Sequence, residues 1–464
     1  MKAHFVSQWL LVITILSFCV TADTQTSEQL AAGIMGKDGW LFYRHELTED
    51  GHAAMTDASL HLIQRFNRVL AANGIGMLVV MVPLKMRVYA EYLPDDIKMG
   101  DYMIGNYERM GKVLQAARVN VANLNSVFLD RAKRNSDTSL FFRLDTHWTP
   151  GGAMLAAQTI QEAISSKPEL KKAFEATPEV PMKIVYSEHK QFSPSNDLVK
   201  QLPKDAPTFA REQVLPFEVS RTQLAKLELI GDALSTGVAL VGSSYSRDWT
   251  GFSDALRYRL QRDVVTSAVG ADRGFWVGME GYLRDDAFQS QRPKVVIWEM
   301  PERDMRAPPD YPYREPRYVS DNTEWLLRVS ALVQTSCRPS KVRASAAPLG
   351  LAADARTAAL GTAATTDSDF IEILFDRPVD RLDYLSGRAK VLGSKVLTLE
   401  ASGPGVVTRR FTMSVPGDEV AHVIKTPLPS NESGYTKVRV YPGMSNGFSL
   451  QELQVCRQPE DLLN

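Results

Sequence analysis

The sequence predicts an α/β domain, a sheet with flanking helices, followed by an all-β sandwich domain. Three observations carry this. From residue 36 to about 330, short β-rich apolar runs alternate with helical stretches, the pattern of a sheet covered by helices on its faces. From about 340, short strands recur with Gly, Pro and Asn between them, which reads as all-β. A length of 464 residues leaves room for two or three domains.

Composition narrows the function classes. Hydrophobic residues make up 44% and charged residues 23% of the chain, with Lys plus Arg at 53 and Asp plus Glu at 54. These values are globular and nearly neutral, so they speak against disorder and coiled coil. They give no reason to expect a nucleic-acid partner.

The elements follow in chain order. Residues 1–8 carry Lys2 and no acid, and residues 9–20 are apolar up to Val20-Thr21-Ala22. This reads as a secretory signal peptide over 1–22, and the run is short for a bilayer span. The expected catalytic domain then covers 23–335 and the sandwich 336–464. Residues 60–74 place Leu62, Ile63, Phe66, Val69 and Leu70 on one helical face and stop at Asn73-Gly74, a helix-end signal. A buried strand is expected over 76–83, a helix over 107–119 and an extended start at 121–128. An Ala-rich helix is expected to open at Pro150. Strands are expected at 238–244, 263–270 and 294–300, with a helix at 249–260. Residues 178–235 lack clear periodicity and are expected to form an inserted lid or loop over the site.

Export would remove Cys19 and leave Cys337 and Cys456. Two cysteines in an exported chain point to one disulfide closing the last domain, contributing roughly 3–5 kcal/mol in the chain-entropy picture. The competing reading is two buried thiols. The shift of pattern near 340 also predicts that the two domains separate, so that truncation near 338 leaves the first one working.

Candidate chemistry sits in two places. Asp145 and His147 are two apart in LFFRLDTHWTPGGA (140–153). In an extended segment such residues share a face, so the carboxylate can fix the imidazole tautomer. In VALVGSSYS (238–246), an apolar strand runs into Gly242, Ser243 and Ser244. Function in open α/β sheets collects at the carboxyl ends of strands, Gly242 permits a sharp turn, and Ser244 is placed as a nucleophile. The oxyanion donors expected are backbone N–H groups of Ser244 and of Gly270, which ends a strand.

The string D-T-H-W-T-P-G-G-A (145–153) resembles the D-x-H-W-T-P-x-G-A signature of the SGNH-hydrolase-like alginate O-acetylation proteins, the AlgX/AlgJ group. The order of Gly39-Trp40-Leu41-Phe42, Val82-Pro83, the Asp-x-His-Trp block, Gly242-Ser243-Ser244 and Trp298-Glu299 also matches, over roughly 36–305. The resemblance implies an SGNH-like domain with Ser244 as nucleophile, His147 as base and Asp145 as its orienting acid. It implies acetyl transfer to a bacterial exopolysaccharide in the periplasm. The donor would be relayed by a membrane O-acyltransferase, within an exopolysaccharide secretion complex. The C-terminal layout is similar to that of AlgX, with a carbohydrate-binding module closed by a disulfide. Ser243 replaces the family's usual Thr, and the first domain has no second Cys pair.

Other residues complete the reading. Lys85 and Arg87 follow a strand end and are candidates for binding a carboxylate or sugar. Arg273 is a candidate polar donor where the family's Asn has no counterpart. The seven Trp stand at 9, 40, 148, 249, 276, 298 and 325. The sandwich therefore has none, and its candidate contacts are Tyr384, Tyr435, Tyr441, Arg409 and Arg410. Trp148 reads as core. The remaining His show no metal-ligand spacing and no phosphate-binding glycine motif follows a strand, so no metal and no cofactor are expected. Three functions fit: an exopolysaccharide O-acetyltransferase, an acetylesterase with the same triad, and a non-catalytic glycan-binding component.

Overall fold

Short, largely apolar runs build the centre of the molecule. In the computed structural model five of them form a parallel sheet: β1 (Gly76–Val82), β2 (Asn120–Ala122), β3 (Val238–Gly242), β4 (Val264–Ala268) and β5 (Val295–Pro301). The described residues are 31–130, 139–222, 237–270, 273–312, 315–335, 342–347, 358–359, 364–394, 396–429 and 434–464. The expected signal peptide and Cys337 lie outside them. Among the described residues no helix is long and apolar enough to cross a membrane.

The strand order is β4-β3-β5-β1-β2, with every pair parallel. A parallel sheet is buried on both faces, and successive residues here divide between two cores. Leu78, Val80, Val238, Leu240 and Ile297 face α3 (Pro150–Ser166) and α4 (Phe252–Leu260). Met77, Val79, Ala239, Val241, Val296 and Trp298 face the other way. On that side lie α1 (Ala53–Ala72), α2 (Asp101–Ala116), α5 (Gly274–Arg284) and α6 (Asn322–Val333). The α1 face is the expected one, with Leu62, Ile63, Phe66, Val69 and Leu70 all buried.

Helix α3 starts where Pro150 predicts. Thr149 caps it, accepting the Gly152 N–H at 3.2 Å. Ala153, Ala156 and Ala157 are fully buried, and their small side chains let the helix lie close to the sheet. At Gly152 a Cβ would stand 2.1 Å from the Leu140 carbonyl oxygen, so only glycine fits. The stretch expected to start extended at 121 turns within a few residues into a helix, Leu124–Leu129, capped by Asn123. The segment read as an irregular lid is partly ordered as sheet. Met182–Tyr186 pairs with Phe217–Arg221, and Gln191–Phe192 pairs with Gln213–Val214. Its residues 223–235 lie outside the described ones.

The C-terminal strands form the expected sandwich. They are β6 (Val342–Ala347), β7 (Ala358–Ala359), β8 (Phe370–Val379), β9 (Asp383–Leu392) and β10 (Val396–Gly403). They continue as β11 (Val406–Ser414), β12 (His422–Pro427), β13 (Tyr435–Tyr441) and β14 (Gly447–Arg457). One sheet has the order β6-β8-β13-β10-β11 and the other β7-β14-β9-β12. Alternate residues such as Ile371, Leu399, Val440, Leu385, Leu450 and Val455 fill the space between them. Cys456, on β14, is disulfide-bonded.

The sandwich is not merely tethered. Leu382 and Leu462 are part of the same apolar core as Trp325 and Leu326 of α6. Gln458 Nε2 donates to the Leu327 carbonyl at 3.1 Å, and Lys425 Nζ to the Gln334 carbonyl at 2.8 Å. His422 of β12 meets Asp286 across the seam at 2.7 Å. The seam speaks against the expectation of separable halves, because removing the sandwich would bare apolar surface that folding had covered. A chain truncated after residue 335 should therefore melt well below the full-length protein or aggregate, measured by thermal unfolding. An unchanged melting temperature would show that the seam contributes nothing.

Candidate active site

The segment between Phe141 and Trp148, which form an isolated antiparallel bridge, folds back on itself. The Phe142 N–H bonds the His147 carbonyl at 3.1 Å and the Thr149 N–H bonds the Leu140 carbonyl at 3.0 Å. Asp145 turns this loop. Its Oδ1 accepts the His147 backbone N–H at 2.9 Å and lies 2.6 Å from His147 Nδ1. An Asp side chain bonding a backbone group two residues on is an Asx turn. So Asp145 and His147 meet through a turn and not through the shared face of an extended strand.

The other imidazole nitrogen points to the end of β3. His147 Nε2 lies 2.8 Å from Ser244 Oγ. With the Asp145 carboxylate on Nδ1, the ring carries its proton there, and Nε2 accepts the Ser244 hydroxyl. Asp145 is buried and Ser244 is half-buried, so the hydroxyl is reachable from solvent. Burial works against the Asp145 charge, but the hydrogen bonds from His147 and from the Asp197 N–H hold the carboxyl below the usual range.

Ser244 opens a single 3₁₀ turn, Ser244–Ser246, directly after β3. Its backbone N–H has no partner among the described residues. The turn is held from below by Glu299, at the end of β5. Glu299 accepts the Ser243 N–H at 2.8 Å, the Ser243 hydroxyl at 2.9 Å and the Ser246 hydroxyl at 2.8 Å. Gly242 is required for that approach, because a Cβ there would fall 2.1 Å from Ser246 Oγ and 2.6 Å from Glu299 Oε2. Gly270 stands beside this edge. Its carbonyl receives the N–H groups of Arg273 and Gly274, and the preceding Val269 N–H bonds the Gly242 carbonyl.

Rings close the site. Trp249 meets the His147 ring edge-on at 4.8 Å, and Tyr245 lies 4.7 Å from it. Trp148 is fully buried against Tyr245 and Phe252. The buried Tyr245 hydroxyl donates to the Thr146 carbonyl at 2.6 Å and receives Arg303 at 3.2 Å.

Several expected contacts are placed differently. Lys85 and Arg87 are buried, not facing substrate. Lys85 Nζ donates to the carbonyls of Leu41, Arg143 and Asp145 at 2.6, 3.0 and 3.0 Å. Burial pushes it down to about 8, against the pull of Glu46 and Glu212. Arg87 is spent on Glu302, on Asn125 at 2.9 Å and on the Met103 carbonyl at 2.9 Å. Both charges are answered inside the protein, Lys85 by three carbonyls and Arg87 by the Glu302 carboxylate. Arg273 is exposed before α5. Arg409 and Arg410 are neighbours on the edge strand β11, so they point to opposite faces and cannot act as a pair. Arg410 is bound to Glu400 at 2.7 Å. Tyr384 and Tyr435 are buried, which removes them as sugar platforms.

Asp197 is the residue that sequence reading missed. Its backbone N–H donates to Asp145 Oδ2 at 2.8 Å, and its carboxylate accepts the Thr146 N–H at 2.8 Å and the Thr146 hydroxyl at 2.6 Å. Asp145, His147 and Asp197 bring ligand-type atoms within 4.8 Å of one another. Those atoms already serve hydrogen bonds within the protein.

Comparison with known proteins gives the family and the fold. Residues 34–302 match the family described as SGNH hydrolase-like domain, acetyltransferase AlgX. The chain is 33% identical over 300 residues to the probable alginate O-acetylase AlgJ of Pseudomonas syringae pv. tomato, covering 62% of this chain and 73% of that one. It is 26% identical over 287 residues to the alginate biosynthesis protein AlgX of Pseudomonas putida, covering 60% and 57%. The solved structure of Pseudomonas aeruginosa AlgX matches the fold over 92% of this chain and 94% of its own, at a TM-score of 0.62 and 18% identity. The O-acetyltransferase domain of Pseudomonas putida AlgJ matches at a TM-score of 0.52 and 26% identity, covering 62% and 97%.

Glu299 yields a pH test. Burial lifts it from 4.5 to about 7, against the hydrogen bonds from Ser246 and Ser243. The folded chain then holds a proton that the unfolded chain releases between these values. Stability should fall by up to ~3 kcal/mol as pH rises from about 4.5 to about 7, and then level off. Glu299→Gln should flatten that slope in thermal melts across the range. An identical slope in the variant would show that Glu299 is not its source.

Proposed function

This chain belongs to the SGNH hydrolase-like acetyltransferase family of AlgX, and from that premise we propose that it acetylates a bacterial exopolysaccharide, alginate or a close relative, through an acyl-serine intermediate. The observation that carries the reading is the hydrogen-bonded line Ser244 Oγ to His147 Nε2 at 2.8 Å and His147 Nδ1 to Asp145 Oδ1 at 2.6 Å.

The reaction is a double displacement. His147 Nε2 takes the Ser244 proton as Oγ attacks the acetyl carbonyl of the donor. The tetrahedral oxyanion is received by the Ser244 N–H, with the Gly270 N–H as second donor, and Asp145 stabilises the imidazolium. His147 returns the proton to the leaving group, which leaves acetyl-Ser244. A sugar hydroxyl then gives its proton to Nε2, and its oxygen attacks the acetyl group. Collapse re-forms the Ser244 hydroxyl and releases the acetylated sugar. Every proton has a named carrier, and the chemistry needs no bound cofactor. Trp249, half-buried at the edge of the His147 ring, is the wall against which an acceptor sugar would lie.

The donor is proposed to arrive from a membrane O-acyltransferase, in the periplasm, within an exopolysaccharide secretion complex. The resemblance and the relatives support that context. A purely glycan-binding role is disfavoured by a hydroxyl, an imidazole and a carboxylate lined up with no spare purpose. An esterase uses the same three groups with water as acceptor. The segment expected to act as a lid supports the loop instead. Glu212, within it, accepts the Arg143 and Leu144 N–H groups at 2.8 Å each, so the preference for transfer rests on the family.

The test is a competition. Purified protein with an activated acetyl ester and an unacetylated acidic oligosaccharide should yield acetylated oligosaccharide by mass spectrometry. Ser244→Ala should lower that yield by at least ~10³-fold. Acetate release unaffected by any of several glycans would favour the esterase, and glycan binding without turnover would favour the binding role.

A further inference from the structure

The loop that carries Asp145, Thr146 and His147 has a second carboxylate on it, contributed from about fifty residues further along the chain. Asp197 grips the loop at three points. Its N–H holds Asp145 Oδ2 at 2.8 Å, its Oδ1 holds the Thr146 N–H at 2.8 Å, and its Oδ2 holds the Thr146 hydroxyl at 2.6 Å. That same Oδ2 stands 3.8 Å from His147 Nδ1, and the Thr146 hydroxyl is 3.2 Å from Nδ1.

These contacts have two consequences. By donating to Oδ2, the Asp197 backbone fixes the plane of the Asp145 carboxylate, so that Oδ1 faces the imidazole. By lying near Nδ1, the Asp197 carboxylate adds a second negative charge beside the ring at the step where the ring becomes an imidazolium. A charge this close, in a partly desolvated site, is felt more strongly than in water.

We propose that Asp197 is a positioning residue for His147, holding the Asp145–Thr146–His147 turn in its reactive shape and supporting the imidazolium through its charge. This rests on the Ser244–His147–Asp145 reading of the site. An Asn at this position would keep one oxygen for the Thr146 N–H and an amide that the Thr146 hydroxyl can meet, so geometry and charge can be separated.

Other charged or titratable groups surround the pair and stay in place in that comparison. Lys85 donates to the Asp145 carbonyl from below. Glu212 holds the Arg143 and Leu144 N–H groups. Tyr245 holds the Thr146 carbonyl and is itself bonded by Arg303, and Tyr43 also senses the Asp197 charge. Burial, and then the neighbouring Asp145 charge, raise Asp197 above the ordinary carboxylate range. Its charge is therefore lost early on acidification, and its removal should change the acid side of the activity profile.

The experiment measures kcat, KM and their pH dependence for a small acetyl ester with the full chain. It compares the wild type with Asp197→Asn, Asp197→Ala and Ser244→Ala, with a melting temperature for each. Asp197→Asn should keep KM and melting temperature, lose about tenfold in kcat, and move the acid limb of the profile to lower pH. Asp197→Ala should lose more, because Thr146 then has no acceptor. If Asp197→Ala does not fold, Asp197→Asn alone decides. Wild-type kcat in Asp197→Asn, or a fall in kcat with the acid limb unmoved, would overturn the proposal while an inactive Ser244→Ala left the triad standing. Full turnover by Ser244→Ala would overturn the triad and this proposal together.

Discussion

A single buried carboxylate bends its own loop into a functional shape. Asp145 Oδ1 takes both the backbone N–H and the Nδ1 of His147, so one oxygen sets the course of the chain and the tautomer of the ring. Most of what surrounds the site makes this possible. A carboxylate with no exposure is costly to bury unless its lone pairs are answered, and here they are answered by His147 and the Asp197 N–H. The loop carbonyls are answered in turn by Lys85 and by Tyr245.

The second half of the site depends on the sheet. Strands β3 and β5 run side by side, with Val241 opposite Trp298. The residue after each partner is then Gly242 on one strand and Glu299 on the other. Close approach without a side chain at Gly242 lets Glu299 hold the Ser243–Ser246 turn by three donors. Helix α3, capped by Thr149 just after His147, anchors the loop from the other side. Ser244 and His147 are thus held by a strand end and a helix start from distant parts of the chain, which is how a site keeps a 2.8 Å contact without substrate.

Much of this was legible in the sequence, for identifiable reasons. Largely apolar runs mark parallel strands because both faces of such a sheet are covered, and Thr149-Pro150 marks a helix start because the first turn tolerates a residue without an N–H. Asp145, His147 and Ser244 stood out because a proton relay admits few residue types. The misreadings are equally physical. Lys85 and Arg87 looked exposed because charge at a strand end usually is, and only tertiary structure supplies the carbonyls and Glu302 that bury them. Arg409 and Arg410 looked like a pair because adjacency in sequence hides the alternation of a strand. Asp197 had no signal, since its partners are a backbone N–H, a hydroxyl and a carboxylate some fifty residues away, in a segment without periodicity. The glycine-free turn at Asp145 was read as extended because an Asx turn and a strand both place residues two apart close together.

In the proposed reaction Ser244 becomes acetylated when His147 takes its proton. The most direct measurement is peptide mapping by mass spectrometry of the full chain, quenched early after mixing with an activated acetyl ester and no glycan. One acetyl group is expected on the peptide that holds Ser244, removed on adding acceptor and absent in His147→Ala. Acetylation confined to other residues, or equal labelling of Ser244 in His147→Ala, would contradict it.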